Sequence, residues 1–187
     1  ITVFTVNGLN QQGTTVTNQP ITIGQLFIQG DIPQGHTVTA KVGDTSLPLQ
    51  VDAKSYHDDG SLKHAILSAE IPSVQGQQDS TITLYRTQTS QSSSAITLDQ
   101  LLGSTFSAEV IINEGGAEYS ASAREMMVEQ VPETWLEGGV VSEWIVQGPL
   151  KNTTTSAEHD YLHAIFTVRA YNGLDPIRVD VTIENNW

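Results

Sequence analysis

His159-Asp160-Tyr161-Leu162-His163 sets two imidazoles four residues apart. On an extended strand that offset is even, so His159 and His163 would share a face. With a converging carboxylate such as Glu158 or Asp160, two imidazoles could ligate a metal ion. The competing account is plain structure, in which His159 ends a loop and His163 opens the apolar run Ala164-Ile165-Phe166. A second cluster, His57-Asp58-Asp59, places an imidazole and two carboxylates just ahead of Gly60. Acid–base work there would require a facing partner and a cleft that shifts a pKa. Turn geometry already explains Asp-Gly at a hairpin tip, because Asp side chains bond their own backbone. An oxygen-rich loop also suits Ca²⁺, but no spaced Asp/Asn loop of the EF-hand type accompanies it. No cofactor is expected.

Aromatic side chains are the other candidates. Trp135, Trp144 and Tyr171 could stack sugar rings if they lay on one exposed face, and core aromatics look the same in sequence. Trp144 is flanked by Ile145 and reads as core, whereas Trp135 follows the turn Val131-Pro132-Glu133-Thr134. His64 sits in an apolar strand and reads as a satisfied, partly buried histidine. Ser61 and Ser142 lack the Gly-x-Ser-x-Gly elbow of a hydrolase nucleophile. No Gly-x-Gly-x-x-Gly or Walker loop points to a nucleotide. A glycosidase pair would converge only in space, and among 21 acidic residues a chance pair carries little weight. The ligand-contacting candidates are thus Trp135, Tyr171, His57 and Asp58, and the metal-ligating candidates are His159 and His163. No residue is assigned a catalytic role.

Composition removes several classes. The chain has 187 residues and no cysteine, which excludes disulfides, thiolate metal sites and a cysteine nucleophile. Its net charge is −13 and its pI about 4.5, a surface that repels phosphate backbones, so nucleic acid is not an expected partner. Charged residues make up 16% and hydrophobic ones 38%, the balance of a globular chain rather than a disordered one. No apolar run approaches the roughly 18 residues needed to span a bilayer, so a soluble protein without membrane insertion is expected. The sequence opens on Ile1 without an initiator Met; any secretion signal is expected to have been removed or to lie outside this stretch.

The elements that must position these residues are strands. Ile1–Val6, His36–Val42, Thr81–Tyr85 and Arg178–Ile183 alternate apolar and polar side chains and are rich in Val, Ile and Thr, the pattern of half-buried antiparallel strands. Turn dipeptides separate them, among them Asn7-Gly8, Gly43-Asp44, Asp59-Gly60 and Gly115-Gly116. On the strand after Asp59-Gly60, Ser61 and Lys63 are expected to face away from Leu62, His64 and Ile66. One short helix is predicted, Leu98–Leu102, capped by Thr97 and stopped by Gly103. The polar run over 87–94 reads as a linker. Residues 1–93 carry 7 acids and 4 bases, and residues 94–187 carry 14 and 4. That asymmetry fits two β modules, 1–93 and 95–187.

Residues 20–72 carry a resemblance. Phe27, Gly30 and Pro33 form a Phe-x-x-Gly-x-[Leu/Ile/Val]-Pro loop, Pro48 and Gln50 a Pro-x-Gln strand, and Asp59-Gly60-Ser61 a hairpin followed by Lys63 and an apolar strand. This pattern resembles the N-terminal barrel domain of exo-acting rhamnogalacturonan lyase-like proteins, the YetA-like group. That family has an aromatic two or three residues before its Asp-Gly-Ser, where this chain has Tyr56-His57. The segment is also similar to phage and prophage proteins. In those the likeness runs on through Gly139–Leu150, Arg169-Ala170-Tyr171-Asn172-Gly173 and Ile183-Glu184-Asn185-Asn186-Trp187. Both groups continue into further β structure, so the chain is expected to be one piece of a longer protein.

The expected fold is mainly antiparallel β, with a barrel-like N-terminal module followed by a β-sandwich-like one. The resemblance implies a non-enzymatic structural or adhesive domain of a phage virion, in its tail or host-recognition apparatus and therefore extracellular or virion-borne. Other virion subunits, a homo-oligomeric or symmetric assembly, and a glycan are the partners it implies. Two alternatives stand beside this reading: an ancillary domain of a polysaccharide lyase or hydrolase, and a stand-alone carbohydrate-binding module.

Overall fold

A computed structural model describes residues 2–7, 13–88, 94–174 and 176–186. Strands take up 62% of them and helices 9%, so the chain is mainly β, and every strand pairing is antiparallel. Two compact units divide it: Ile1–Ser94 with Gly138–Val140, and Ala95–Glu137 with Val141–Trp187. The polar run over 87–94 ends the first unit, although residues 89–93 lie outside the described ones. Nothing in the composition signals that Gly138–Val140 belongs to the first unit.

The first unit contains β1 (Thr2–Asn7), β2 (Thr15–Leu26), β3 (Thr37–Val42), β4 (Thr45–Leu47), β5 (Leu49–Tyr56), β6 (Leu62–Gln75) and β7 (Asp79–Thr87). They form a four-stranded sheet in the order β1-β7-β3-β4 and a three-stranded sheet in the order β2-β6-β5. Pro48 alone separates β4 from β5, and the chain thus passes directly from one sheet to the other around a shared core. Val38, Ala40, Leu47, Ile82 and Leu84 enter that core from one sheet, and Leu49, Leu67, Ala69 and Ile71 from the other. Period-2 alternation is what allows each sheet to line one side of the core.

On β6 the expected facing holds at Leu62, buried, and Lys63, exposed, and reverses from His64 on. Ala65, Leu67, Ala69 and Ile71 are the core residues, while His64 and Ile66 are half-buried on the opposite face. Register shifts between β5 and β6, from Ala53 to Tyr56, lie beside this change of parity. A bulge of this kind inserts a residue and turns every later side chain to the other face.

The second unit contains α1 (Leu98–Gly103), β8 (Glu109–Glu114), β9 (Ala117–Ser122), α2 (Ala123–Glu129), β10 (Glu133–Leu136), β11 (Val141–Asn152), β12 (Glu158–Tyr171), a 3₁₀ turn at Asn172–Leu174, and β13 (Ile177–Asn185). One six-stranded sheet runs β13-β12-β11-β9-β8, with β10 paired to β11. Its layering is sandwich-like, with α1, α2 and Phe106 covering one face of the sheet. Leu101, Ala123, Met126 and Met127 pack there against Trp144, Val146, Phe166 and Val168. Gly115 and Gly116 both have positive φ, 58° and 83°, which the tight β8–β9 hairpin requires.

Thr97 caps α1 as predicted, and Gln100 completes a capping box. The second helix was not legible from periodicity: it is a single short segment capped by Ser122. Arg124 at its start fixes the chain between the two helices, donating to the carbonyls of Leu102, Ser104 and Phe106.

Candidate functional site

The loop after β2 and the hairpin between β5 and β6 are stitched together. Phe27 N–H donates to the Lys63 carbonyl at 2.9 Å, and Leu62 N–H to the Ile32 carbonyl at 2.9 Å. His57 Nε2 donates to the Phe27 carbonyl at 3.0 Å. Ser61, fully buried, is the pin: its Oγ accepts from Gly30 N–H at 2.9 Å and donates to Asp59 Oδ1 at 2.6 Å. The same carboxylate oxygen accepts the Ser61 N–H at 2.9 Å. The Ser61 hydroxyl, and after it the Ser61 backbone N–H, hold the Asp59 carboxyl below its ordinary value. Gly30 and Gly60 have φ of 83° and 80°, a conformation that favours glycine.

This pinned loop bounds a cleft of about 470 Å³ in the first unit, lined by residues that include Ile32, Gln34, His36, Thr37, Val51 and Tyr56. Its volume falls within the range of small-ligand sites. Among the residues lining it there is no Asp, Glu, Lys or Arg. Tyr56 is 62% exposed, and His36 Nδ1 is buried without a hydrogen-bond partner. The chemistry on offer is an aromatic face, amide and hydroxyl groups, and one imidazole. That suits an uncharged polar ligand.

Of the residues that carry the family resemblance, Pro33 and Gly60 line this cleft, and Phe27, Gly30 and Gln50 have structural jobs away from its lining. Phe27 is buried in the core, Gly30 gives its N–H to Ser61, and Pro33 accepts from His36 N–H. Gln50 lies on β5, where its carboxamide donates to Asp52 at 2.7 Å and accepts the Val140 N–H at 3.1 Å. A Cβ on Gly138 would come within 2.2 Å of the Gln50 Cδ.

Of the ligand candidates, His57 is occupied in bracing the Phe27 carbonyl, and Asp58 stands exposed at the hairpin tip next to the cleft. Trp135 and Tyr171 belong to the second unit. Trp135 is 39% exposed and occupies a bulge of β10, between Thr134 and Leu136; Tyr171 ends β12 and bonds Arg169. Tyr56, His36 and Gln34 were missed as site residues. The one signal for them was the aromatic ahead of Asp-Gly-Ser, followed by the position of the Gln34-Gly35 turn.

His159 and His163 do not share a face as expected. The register between β11 and β12 slips between Pro149 and Lys151, which oppose His163 and Glu158. Beyond the slip Ala164, Phe166, Val168 and Ala170 point into the core and His163 alternates with them, whereas His159 is itself buried. Both nitrogens of His159 are used: Nδ1 accepts the N–H groups of Tyr161 and Leu162, at 3.2 and 3.1 Å, and Nε2 donates to Glu114 at 2.6 Å. Two N–H donors on Nδ1 fix the proton on Nε2. The Tyr119 ring meets the imidazole edge-on at 4.6 Å. Among the described residues no group of three or more His, Asp or Glu could hold a metal.

One buried ion pair completes the polar inventory. Glu143 on β11 and Arg169 on β12 stand opposite each other in register and are hydrogen-bonded through Arg169 Nε. Burial pulls the Arg169 pKa down, but hydrogen bonds to Glu143 and Tyr171 outweigh it and the pKa stands above the ordinary arginine value. Among the described residues no helix is long and apolar enough to cross a membrane. No family model matches the chain, and no curated protein does.

Proposed function

We propose that this chain is a non-enzymatic structural or adhesive β domain of a phage virion, acting outside the cell in a tail or host-recognition apparatus, and that it holds a sugar-type ligand in the cleft of the first unit. The observation that carries the ligand assignment is the lining of that cleft: uncharged polar groups and apolar side chains beneath an exposed Tyr56. A sugar ring has an apolar face for an aromatic and hydroxyls for the side chains of Gln34 and Thr37. The lining offers no pair of carboxylates for glycoside hydrolysis. Support for the virion assignment is the likeness of Gly139–Leu150 and the Arg-Ala-Tyr-x-Gly segment to phage and prophage proteins.

A second reading is favoured by the cleft's position. All of its lining residues lie between Ile32 and Leu62, inside the segment that resembles the lyase-like barrel domain, which would make this an ancillary domain of a polysaccharide lyase or hydrolase. Binding to a glycan array followed by titration tests the ligand assignment. Tyr56→Ala is expected to weaken binding about tenfold, roughly 1.4 kcal/mol, with the circular dichroism spectrum unchanged. Loss on Trp135→Ala in its place would move the site to the second unit, and absence of any bound glycan at millimolar concentration would remove it. Co-purification with particles supports the virion role. An unsaturated, ultraviolet-absorbing product released by the longer protein that carries this chain would favour the lyase context.

A further inference from the structure

We infer that β13 is a self-association edge, along which two copies of this chain pair antiparallel about a two-fold axis through Val181. The inference is independent of what the cleft binds. Among the described residues β13 is the outermost strand of the sheet, with β12 as its neighbour in the strand order. An unpaired strand edge presents backbone donors and acceptors to any chain that can lie beside it, and proteins usually blunt such edges with unmatched charged side chains, Lys above all, with Pro or with a bulge. Ile177–Asn185 contains no Lys and no Pro, and its register with β12 runs unbroken from Ile177 to Asn185.

The two faces of the strand identify the occupant. Ile177, Val179, Val181 and Ile183 stand opposite Ala170, Val168, Phe166 and Ala164 of β12, and so lie on the core face. Ile177 and Val179 pack against the core, but Val181 and Ile183 remain 47% and 38% exposed. The core face therefore continues as an apolar strip to the rim of the sheet. On the other face are Arg178, Asp180, Thr182 and Glu184.

Pairing centred on Val181 is the register that uses the whole strand, matching Ile177 with Asn185. It sets Val179 beside Ile183 and Val181 beside its own copy, so apolar meets apolar. It sets Arg178 opposite Glu184 in both halves of the interface, an attractive cross-strand pair made twice. Neighbouring registers are worse. Centring on Asp180 puts that carboxylate against its copy, and centring on Thr182 puts Asp180 against Glu184. Arg178 already meets Asp180 of its own strand at 2.9 Å, both partners exposed. Among the described residues Glu184 makes no ion pair, which leaves it open to the incoming Arg178. A surface that is complementary to itself is what a closed two-fold dimer requires. A single strand edge is small, so the association falls in the weak, concentration-dependent class.

The test is sedimentation velocity on the whole chain over a concentration series. A dimer that dissociates on dilution and weakens with added salt is expected. Arg178→Glu and Glu184→Arg, each alone, place like charges opposite each other and should weaken the dimer at least about tenfold. An equimolar mixture of the two variants restores both attractive pairs and should recover the wild-type affinity as a heterodimer. Because the rescue comes from mixing two separately folded proteins, loss of fold cannot imitate it. A chain that stays monomeric at millimolar concentration, dimers indifferent to either variant, or a mixture that does not recover would each overturn the assignment.

Discussion

Replacing Arg169 by Met should damage the second unit far more than loss of an ordinary salt bridge would. Glu143 has only 5% of its side chain exposed, against 18% for Arg169. Arg169→Met keeps the aliphatic stem but leaves a buried carboxylate whose charge nothing offsets, at a cost of about 3–5 kcal/mol. For a unit of roughly 90 residues each kcal/mol corresponds to about 4–8 °C, so its Tm should fall by at least about 12 °C. Glu143→Met should be comparably costly, since it strands the guanidinium. The double variant should recover most of the loss, because two apolar side chains of similar volume need no partner. Trp135, Trp144 and Trp187 all belong to the second unit, so urea unfolding followed by tryptophan fluorescence reads that unit by itself. If Arg169→Met costs less than about 1 kcal/mol, as exposed pairs do, or if the double variant is simply additive, the pair is not a buried lock and the reasoning fails.

Gly138→Ala should displace the Gln50 carboxamide and free the Val140 N–H, costing the first unit about 1–3 kcal/mol; a Gln50→Ala background should absorb most of that cost, read as protection of the Val140 amide in hydrogen exchange. Asp59 has a depressed pKa in the folded hairpin, so its contribution is present above the ordinary carboxylate value and is lost as pH falls through the folded one. Amide shifts of Gly30 and Ser61 should therefore move together on acidification from roughly pH 5 to pH 2, and Asp59→Asn should abolish that step.

How much could be read in advance depends on the range of the interactions that decide each feature. Strand alternation and glycine turns are local, which is why β3, β7, β13 and the α1 cap were legible. The parity of a strand is local only until a bulge intervenes. One irregular step turned Ala65 and Leu67 into the core in place of His64 and Ile66, and another separated His159 from His163. Neither leaves a signature in composition, because a bulge is set by the partner strand. The Glu143–Arg169 pair was equally hidden, since it depends on the register of two strands joined by a long hairpin.

The cleft shows why the Asp59-Gly60-Ser61 turn could be recognised while its consequence could not. At the level of sequence the hairpin had one sufficient explanation: Asp bonds its own backbone and Gly takes the left-handed position. That explanation accounts for Asp59 and Gly60 but leaves Ser61 without a reason, because a turn of this kind does not require a buried hydroxyl. Ser61 is specified by Gly30, 31 residues away in sequence, whose N–H it accepts. Holding Gly30 fixes the path from Phe27 to His36, and that path forms one wall of the cleft. Turn and site are therefore not competing readings of these residues. The turn is the means by which a loop with no regular structure of its own is held in place as one wall of the cleft, and Ser61→Ala should loosen the cleft before it unfolds the unit.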